Sequence, residues 1–342
     1  MADTANIVKS PTAPFRVAVV GTGRISKFHF EAWRGVDDVE IVAVCDVNLD
    51  QAKKMAAQFG IAKAYASLLE LLANEKIDAL DIATPPASHA ALLAIAAEHG
   101  VDCLCQKPLA QSYEEAVRIV AAARPKMRLC VNENRRHLPY YRTAKQWIEE
   151  GLIGTVQQGS MTAFRSSFLP GPDGKYSGTP LLVKGPRLFI AETLIHQVDA
   201  LRSMVGNVRL IASRAIPTEP ALQGDTICTM MLETEDGAPL VLTGSGVAVG
   251  YPREFNDRFD ICGSKGSIQW DGDTLRLLGP NAREQHFEMQ AQYAEMYQSC
   301  FTIAARDFSN AIRNKQPFPA EASDNLETLK IVEDGYRLSG TA

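Results

Sequence analysis

The chain has 342 residues, 46% hydrophobic and 22% charged, and its 35 lysines and arginines against 40 acidic residues give a formal net charge of -5. That length exceeds one compact core of ordinary size, so two domains are expected, and the acidic balance offers no global positive field to gather nucleic-acid phosphates. No apolar run approaches the roughly 20 residues a membrane span requires, and the seven cysteines form no CxxC pair, as expected for reduced thiols in a cytoplasmic protein.

Residues 1–14, MADTANIVKSPTAP, carry an acid at position 3 and lack the basic start and apolar centre of a signal peptide, so they read as a flexible leader. FRVAVV (15–20) is a short β-branched run between Pro14 and a glycine turn, which predicts a fully buried strand. The rhythm then repeats: a strand at 39–46, a helix through LDQAKKMAAQFG, a strand at 77–83, a helix through SHAALLAIAAEHG and a strand at 101–105. Both helices stop at a glycine, Gly60 and Gly100. Strands alternating with helices imply right-handed crossovers and a doubly wound parallel sheet, here assigned to residues 15–131. Ligands of such sheets bind at the carboxyl ends of the strands.

The first strand is followed by GTGRIS (21–26). Gly21 permits a tight turn and Gly23 the close approach of a pyrophosphate, with Arg24 and Ile25 completing the loop and Ser26 in place of the third glycine. Asp46, about 20 residues further on at the end of the second strand, is placed to bind the adenosine ribose. A carboxylate there repels a 2'-phosphate, which favours NAD over NADP. The same glycine turn and ribose acid serve S-adenosylmethionine-dependent methyltransferases, so the fold half leaves the chemistry open. Two further strand ends carry polar groups: the loop of Thr84 and Pro85 with His89 behind it, and Gln106-Lys107-Pro108.

From about Asn132 the pattern changes. One amphipathic helix, PYYRTAKQWIEEG, precedes alternating segments at 155–164, 208–215, 225–234 and 239–249 that read as strands of an open sheet. Proline and glycine concentrate at 169–186, a candidate substrate-shaping lid that contains Lys184. In IAETLIHQVDALRSMVG (190–206), helical pitch puts Leu194, Val198, Leu201 and Val205 on one side and Glu192, His196, Asp199 and Ser203 on the other. That polar row is either a solvated face or a catalytic one.

GTGRIS, CDVN, the ATPP loop with His89, QKP, HLPYYRTAKQWIEEGLIGTV, FDICGSKGSIQW (259–270) and DNLETLKIVEDGYR (324–337) together closely resemble the Gfo/Idh/MocA family of oxidoreductases, along nearly the whole chain. The resemblance implies an amino-terminal Rossmann domain and a carboxyl-terminal α/β domain, 132–342, with an open, largely antiparallel mixed sheet. It implies NAD-dependent hydride transfer to or from a sugar, polyol or related hydroxy compound. It also implies homodimers or homotetramers formed through that sheet. The family's Glu-Lys-Pro motif falls on Gln106, Lys107 and Pro108, where Gln106 departs from the family acid. Its catalytic segment falls on Glu192 and His196, with Pro186, Arg187 and Leu188 where relatives usually carry glycines. His196 is expected as general base, Lys107 as electrostatic partner and proton relay, and Glu192 as an orienting group set beside His196. Arg136, Arg165 and Asp199 are candidates for substrate oxygens, against plain ion pairing. His29 reads as packed. No Cys, His or Asp spacing resembles a metal site. A ketosugar or dicarbonyl reductase using NADPH and a nicotinamide-binding regulator without turnover are the alternatives.

Overall fold

The computed structural model describes residues 13–340 except 172, 175, 177–184, 255 and 319. Most of the leader, Lys184 and much of the candidate lid lie outside the described residues. The chain forms two compact units that interleave: Met1–Gln106, Ala121–Cys130 and Phe301–Pro319 in the first, Lys107–Val120, Val131–Cys300 and Ala320–Ala342 in the second. The chain passes between them at 106/107, 120/121, 130/131, 300/301 and 319/320.

The first unit carries a six-stranded sheet of β1 (Phe15–Val20), β2 (Val39–Cys45), β3 (Ala64–Tyr65), β4 (Ala79–Ile82), β5 (Asp102–Gln106) and β6 (Leu129–Asn132), in the order β3-β2-β1-β4-β5-β6. Parallel pairs join β1 to β2 and β4, β2 to β3, and β4 to β5. This is the doubly wound arrangement that the alternating pattern predicts. The helices are α1 (Ser26–Arg34), α2 (Leu49–Phe59), α3 (Leu68–Asn74) and α4 (His89–Glu98). Asn48 caps α2 by accepting the Gln51 N–H, and Gly60 ends it in the left-handed region at φ 71. The central strand β4 is buried at every position, Asp81 included.

A carboxylate so placed requires donors. Asp81 accepts the Trp33 indole N–H at 2.6 Å and contacts His29 Nδ1 at 2.8 Å. On its other side His29 meets the side-chain amide nitrogen of Gln106 at 3.0 Å. That amide nitrogen can only donate, so His29 Nε2 accepts and Nδ1 bears the proton facing Asp81. His29 is packed, as its position on the helix after the glycine turn implies. The late segment rejoins this unit through aromatic contacts: Phe28 on Phe301 at 5.3 Å, Trp33 on Phe308 at 6.3 Å and Phe308 on Phe318 at 5.0 Å.

The second unit carries an eight-stranded sheet of β7 (Val156–Phe164), β8 (Val208–Ile216), β9 (Ile227–Thr234), β10 (Pro239–Ser245), β11 (Asp257–Gly263), β12 (Ser267–Trp270), β13 (Thr274–Leu278) and β14 (Arg283–His286), ordered β14-β13-β12-β11-β7-β10-β9-β8. Only β7 and β10 pair in parallel, so the sheet is mixed and mostly antiparallel. Residues alternate along β9: Cys228, Met230 and Leu232 are buried while Met231 is exposed, the mark of a sheet covered on one face. Helices α5 (Tyr113–Ala123) and α8 (Met289–Arg313) run across the division, whereas α6 (Pro139–Glu149), α7 (Ile195–Val205) and α9 (Ala322–Ser339) lie within the second unit. Tyr140 stacks on Trp270 at 4.3 Å and Tyr141 on Phe259 at 5.6 Å, fixing α6 to the sheet. No helix among the described residues is long and apolar enough to cross a membrane.

Removing a buried acceptor strands its donors, at a cost of about 3–5 kcal/mol when the acceptor is half of a buried pair. Asp81→Ala is expected to lower unfolding stability by about that amount, read from the urea midpoint; a loss below about 1 kcal/mol would show that His29 and Trp33 find other acceptors.

Candidate active site

The glycine loop is built by the ends of β1, β2 and β4. Gly21 sits at φ 104, donates its N–H to the Cys45 carbonyl at 2.8 Å, and leaves no room for a side chain: a Cβ would lie 2.5 Å from the Ala83 carbonyl oxygen. Gly23 is the opposite case, since a Cβ there meets nothing within 4 Å. Open space above Gly23 adjoins the amino end of α1, which no side chain caps, and the positive end of a helix dipole favours an anionic group there. Ser26 is fully buried and donates its hydroxyl to the Gly23 carbonyl at 2.6 Å, so this departure ties the loop down. Asp46 accepts the Thr22 N–H at 2.9 Å and hydroxyl at 2.7 Å through one oxygen, and the Asn48 N–H through the other. Its carboxylate therefore braces the loop from the position where a ribose acid belongs. Arg24 is exposed and Ile25 half-buried beside it. These residues fit a dinucleotide.

His89 stands behind the Thr84-Pro85 loop, as its sequence position implies. It is fully buried and its Nε2 lies 2.9 Å from the Thr84 carbonyl, so it supports the Thr84-Pro85 loop from beneath. Gln106 likewise turns to His29 rather than standing in for an acid beside Lys107.

Lys107 belongs to the second unit, where it meets Glu192: Nζ lies 3.4 Å from Oε2 and 3.3 Å from the backbone carbonyl. The carboxylate missing at position 106 is thus supplied to Lys107 from Glu192. Glu192 stands in a π-helical turn, Ile190–Leu194, directly ahead of α7. The turn starts without a capping side chain of its own. Asp225 instead accepts the Leu188 and Ile190 N–H groups at 2.8 Å each, and Tyr336 donates to Asp225 while accepting the Ala191 N–H at 3.1 Å. A wider turn changes the helical phase. Glu192 and His196 consequently do not pair as a regular i, i+4 set: Glu192 turns to Lys107, while His196 Nδ1 lies 2.7 Å from Oε2 of Glu133.

The polar row divides: Glu192 and Ser203 are half-buried, whereas His196 and Asp199 are enclosed. His196, Gln197, Asp199 and Arg202 are all buried. Arg136 binds Asp199 (Nε to Oδ2 2.7 Å) and Asp324, and Arg165 binds Asp257 at 2.9 Å, a carboxylate that also accepts from Tyr141 and Gln197. Arg136, Arg165 and Asp199 are therefore committed to buried ion pairs rather than standing open for substrate. Arg187, a departure from the family glycines, pairs with Glu333 and lies 4.8 Å over Tyr336. Burial, reinforced by the positive charges of Arg135, Lys107 and Arg165, holds the His196 imidazole well below its ordinary value, hence neutral. Burial and the Asp199 charge push the Glu133 carboxyl upward. His196 Nε2 bonds to no described residue. Glu133, in NENRRH directly after β6, is the residue that sequence reasoning missed; its place at a strand's carboxyl end is the signal that marks it.

A doubly wound sheet with this glycine loop and an acid at the end of its second strand fits the NAD-binding Rossmann class of oxidoreductases. The family model described as "Oxidoreductase family, NAD-binding Rossmann fold" matches residues 15–133, and that of the GFO/IDH/MocA C-terminal domain matches 141–269. The chain belongs to the Gfo/Idh/MocA oxidoreductase family and uses NAD. It is 29% identical to a D-apiose dehydrogenase of Paraburkholderia graminis over 347 residues, covering 98% of this chain and 91% of that one. It is also 29% identical to an inositol 2-dehydrogenase of Rhizobium meliloti over 338 residues, covering 94% and 96%. Among solved structures, an oxidoreductase from Agrobacterium radiobacter in complex with NAD+, L-tartaric acid and magnesium superposes with a TM-score of 0.87 at 27% identity, covering 95% and 96%.

The two glycines separate by test. Gly21→Ala is expected to cost roughly 2 kcal/mol or more of stability, through clash and left-handed strain. Gly23→Ala is expected to leave the unfolding midpoint nearly unchanged and weaken NAD at least about tenfold, or about 1.4 kcal/mol. Thermal melts and a nicotinamide fluorescence titration check both, and unchanged NAD affinity in Gly23→Ala would remove the pyrophosphate from this loop.

Proposed function

We propose that this chain is an NAD-dependent dehydrogenase of a sugar, polyol or related hydroxy compound, with His196 as general base and Lys107 as electrostatic and proton-relay partner. The observation that carries the reading is the neutral, buried His196 whose Nε2 is left unbonded, in the same unit as the Lys107–Glu192 pair. The relatives named for apiose and inositol support the substrate class.

Removing a hydroxyl proton calls for a base that is neutral at working pH, and general acid–base help typically contributes ~100- to 10,000-fold. His196 meets that condition, because burial and three nearby cations disfavour its charged form. Lys107 steadies the substrate oxygen as negative charge builds on it, in the manner of an oxyanion donor. Glu192 fixes the ammonium, so its effect on turnover passes through Lys107. Arg136, Asp199 and Arg165 keep the surrounding frame rigid. NAD+, when bound, supplies the hydride acceptor.

The open face of the eight-stranded sheet exposes Met231, Val241 and Ile211, and we assign homodimer or homotetramer formation to it. None of the seven cysteines forms a disulfide and six are buried, which fits a reducing compartment such as the cytoplasm.

Lys107→Ala and His196→Ala are each expected to reduce kcat by at least ~100-fold with NAD affinity within about threefold of the parent. The measurement is reduced-nicotinamide absorbance over a panel of aldoses and polyols, alongside NAD titration. Wild-type turnover in His196→Ala would transfer the base role to Lys107, and an inert parent across the whole panel would overturn the substrate class.

A further inference from the structure

His196 is held by one hydrogen bond from its Nδ1, and the partner is a carboxyl group as deeply buried as the imidazole itself: the side chains are 1% exposed for Glu133 and 6% for His196. We propose that Glu133 is the positioning residue of His196 and the group on which the abstracted proton comes to rest, so that the base of this enzyme is a two-residue unit. The inference rests on His196 being the base, and it deepens that reading.

Geometry fixes the proton inventory. With Glu133 ionised, Nδ1 donates to Oε2 and Nε2 carries the lone pair that a base needs. As the substrate's O–H bond breaks, its proton forms a bond to Nε2, the N–H bond at Nδ1 breaks, and that proton passes 2.7 Å to Oε2. NAD+, when bound, would take up the C–H hydride as the substrate carbonyl forms, which balances charge and electrons. The dyad begins with one net negative charge and ends neutral, as a carboxylic acid hydrogen-bonded to a neutral imidazole.

The alternative end state, an imidazolium beside a carboxylate, requires two charges in a water-poor interior, one of them poorly solvated. Glu133 Oε1 is buried and accepts no hydrogen bond among the described residues, so one of the two carboxylate oxygens lacks a donor. Facing the pair are the cations Lys107, Arg135, Arg136 and Arg165 and the anion Asp199, with Glu192 engaged by Lys107 and Asp257 by Arg165. Burial raises the carboxyl and depresses the imidazole, so both shifts send the shared proton to Glu133.

The test is a pH titration of [15N]histidine-labelled protein with NAD+ bound, read by long-range nitrogen–carbon-bound-proton correlation and assigned with His196→Gln. Wild type is expected to pass on acidification from an Nδ1–H to an Nε2–H imidazole without forming imidazolium. Glu133→Gln, which keeps the volume and removes the proton acceptor, is expected to lose that tautomer exchange. Its kcat should fall at least 100-fold, the acid limb of its kcat/KM profile should move to lower pH, and Glu133→Asp should regain part of the rate. An imidazolium in wild type, or a Glu133→Gln variant with wild-type titration and rate, overturns the proposal. The titration needs no substrate: the expected exchange in a protein that oxidises no hydroxy compound would leave the dyad standing and defeat the functional reading instead.

Discussion

Charge buried within the second unit has to be paired, and that requirement organises everything around α7. The helix contributes His196, Asp199 and Arg202 and is buried almost all round, an arrangement that fails unless each polar group meets a partner. Asp199 takes Arg136, Arg202 takes Asp324 and Thr328, and Asp257 takes Arg165 together with Tyr141 and Gln197. Removing one member of such a pair costs about 3–5 kcal/mol, because the other is left charged and unsolvated. These pairs therefore serve as rigid mounts. Within them the His196–Glu133 contact differs in kind, since both members can become neutral. A frame of permanent charges holding one titratable pair is what a proton-transfer site requires, for the frame stays fixed while the proton moves.

The mouth of α7 follows from the same need. Ahead of it stand Pro186, Arg187 and Leu188, none of which caps a helix, so the first backbone N–H groups have no local acceptor. Asp225, 35 residues from Ile190, supplies that acceptor, and the Tyr336 hydroxyl bridges Asp225 to the Ala191 N–H. Held from outside, the chain keeps a π turn over Ile190–Leu194 instead of relaxing into α-helix. Such turns recur at functional sites because the extra residue redirects side chains. Here it separates Glu192, which faces Lys107, from His196, which faces Glu133.

Much of this was legible in the residues. Four of the six strands of the first sheet, β1, β2, β4 and β5, are legible because buried parallel strands are short apolar runs punctuated by turns, whereas the two-residue β3 and the four-residue β6 at the sheet's edges give no such signal. Lys107, Glu192 and His196 stand out by residue type at strand and helix ends. What escaped had non-local causes. The Glu192–His196 geometry was drawn at 100° per residue, and only Asp225 and Tyr336, remote in sequence, sustain the π turn that breaks it. Glu133 lies 63 residues from His196, and the stretch between them gives no sign of the pairing. Arg136 and Arg165 stay open in the sequence between substrate ligand and ion pair, because an arginine's carboxylate partner is invisible in one dimension. The late return of Phe301–Pro319 to the first unit depends on aromatic packing against Phe28 and Trp33, which no boundary signal announces.

Gln106 is the departure whose logic emerges only in three dimensions. Its amide donates to His29 Nε2, and His29 in turn faces Asp81 through Nδ1, so the line holds one carboxylate and one neutral imidazole. A glutamate at position 106 would end that line in a second buried carboxylate, since Gln106 is itself 8% exposed and Asp81 fully enclosed. His29 would then have to donate from both ring nitrogens and carry a charge, or one carboxyl would have to keep its proton. The amide avoids either outcome by donating where a carboxylate could only accept. Lys107, the next residue, draws its negative partner from Glu192. The lysine thus has its counter-charge at the π turn, without a second anion being buried beside Asp81.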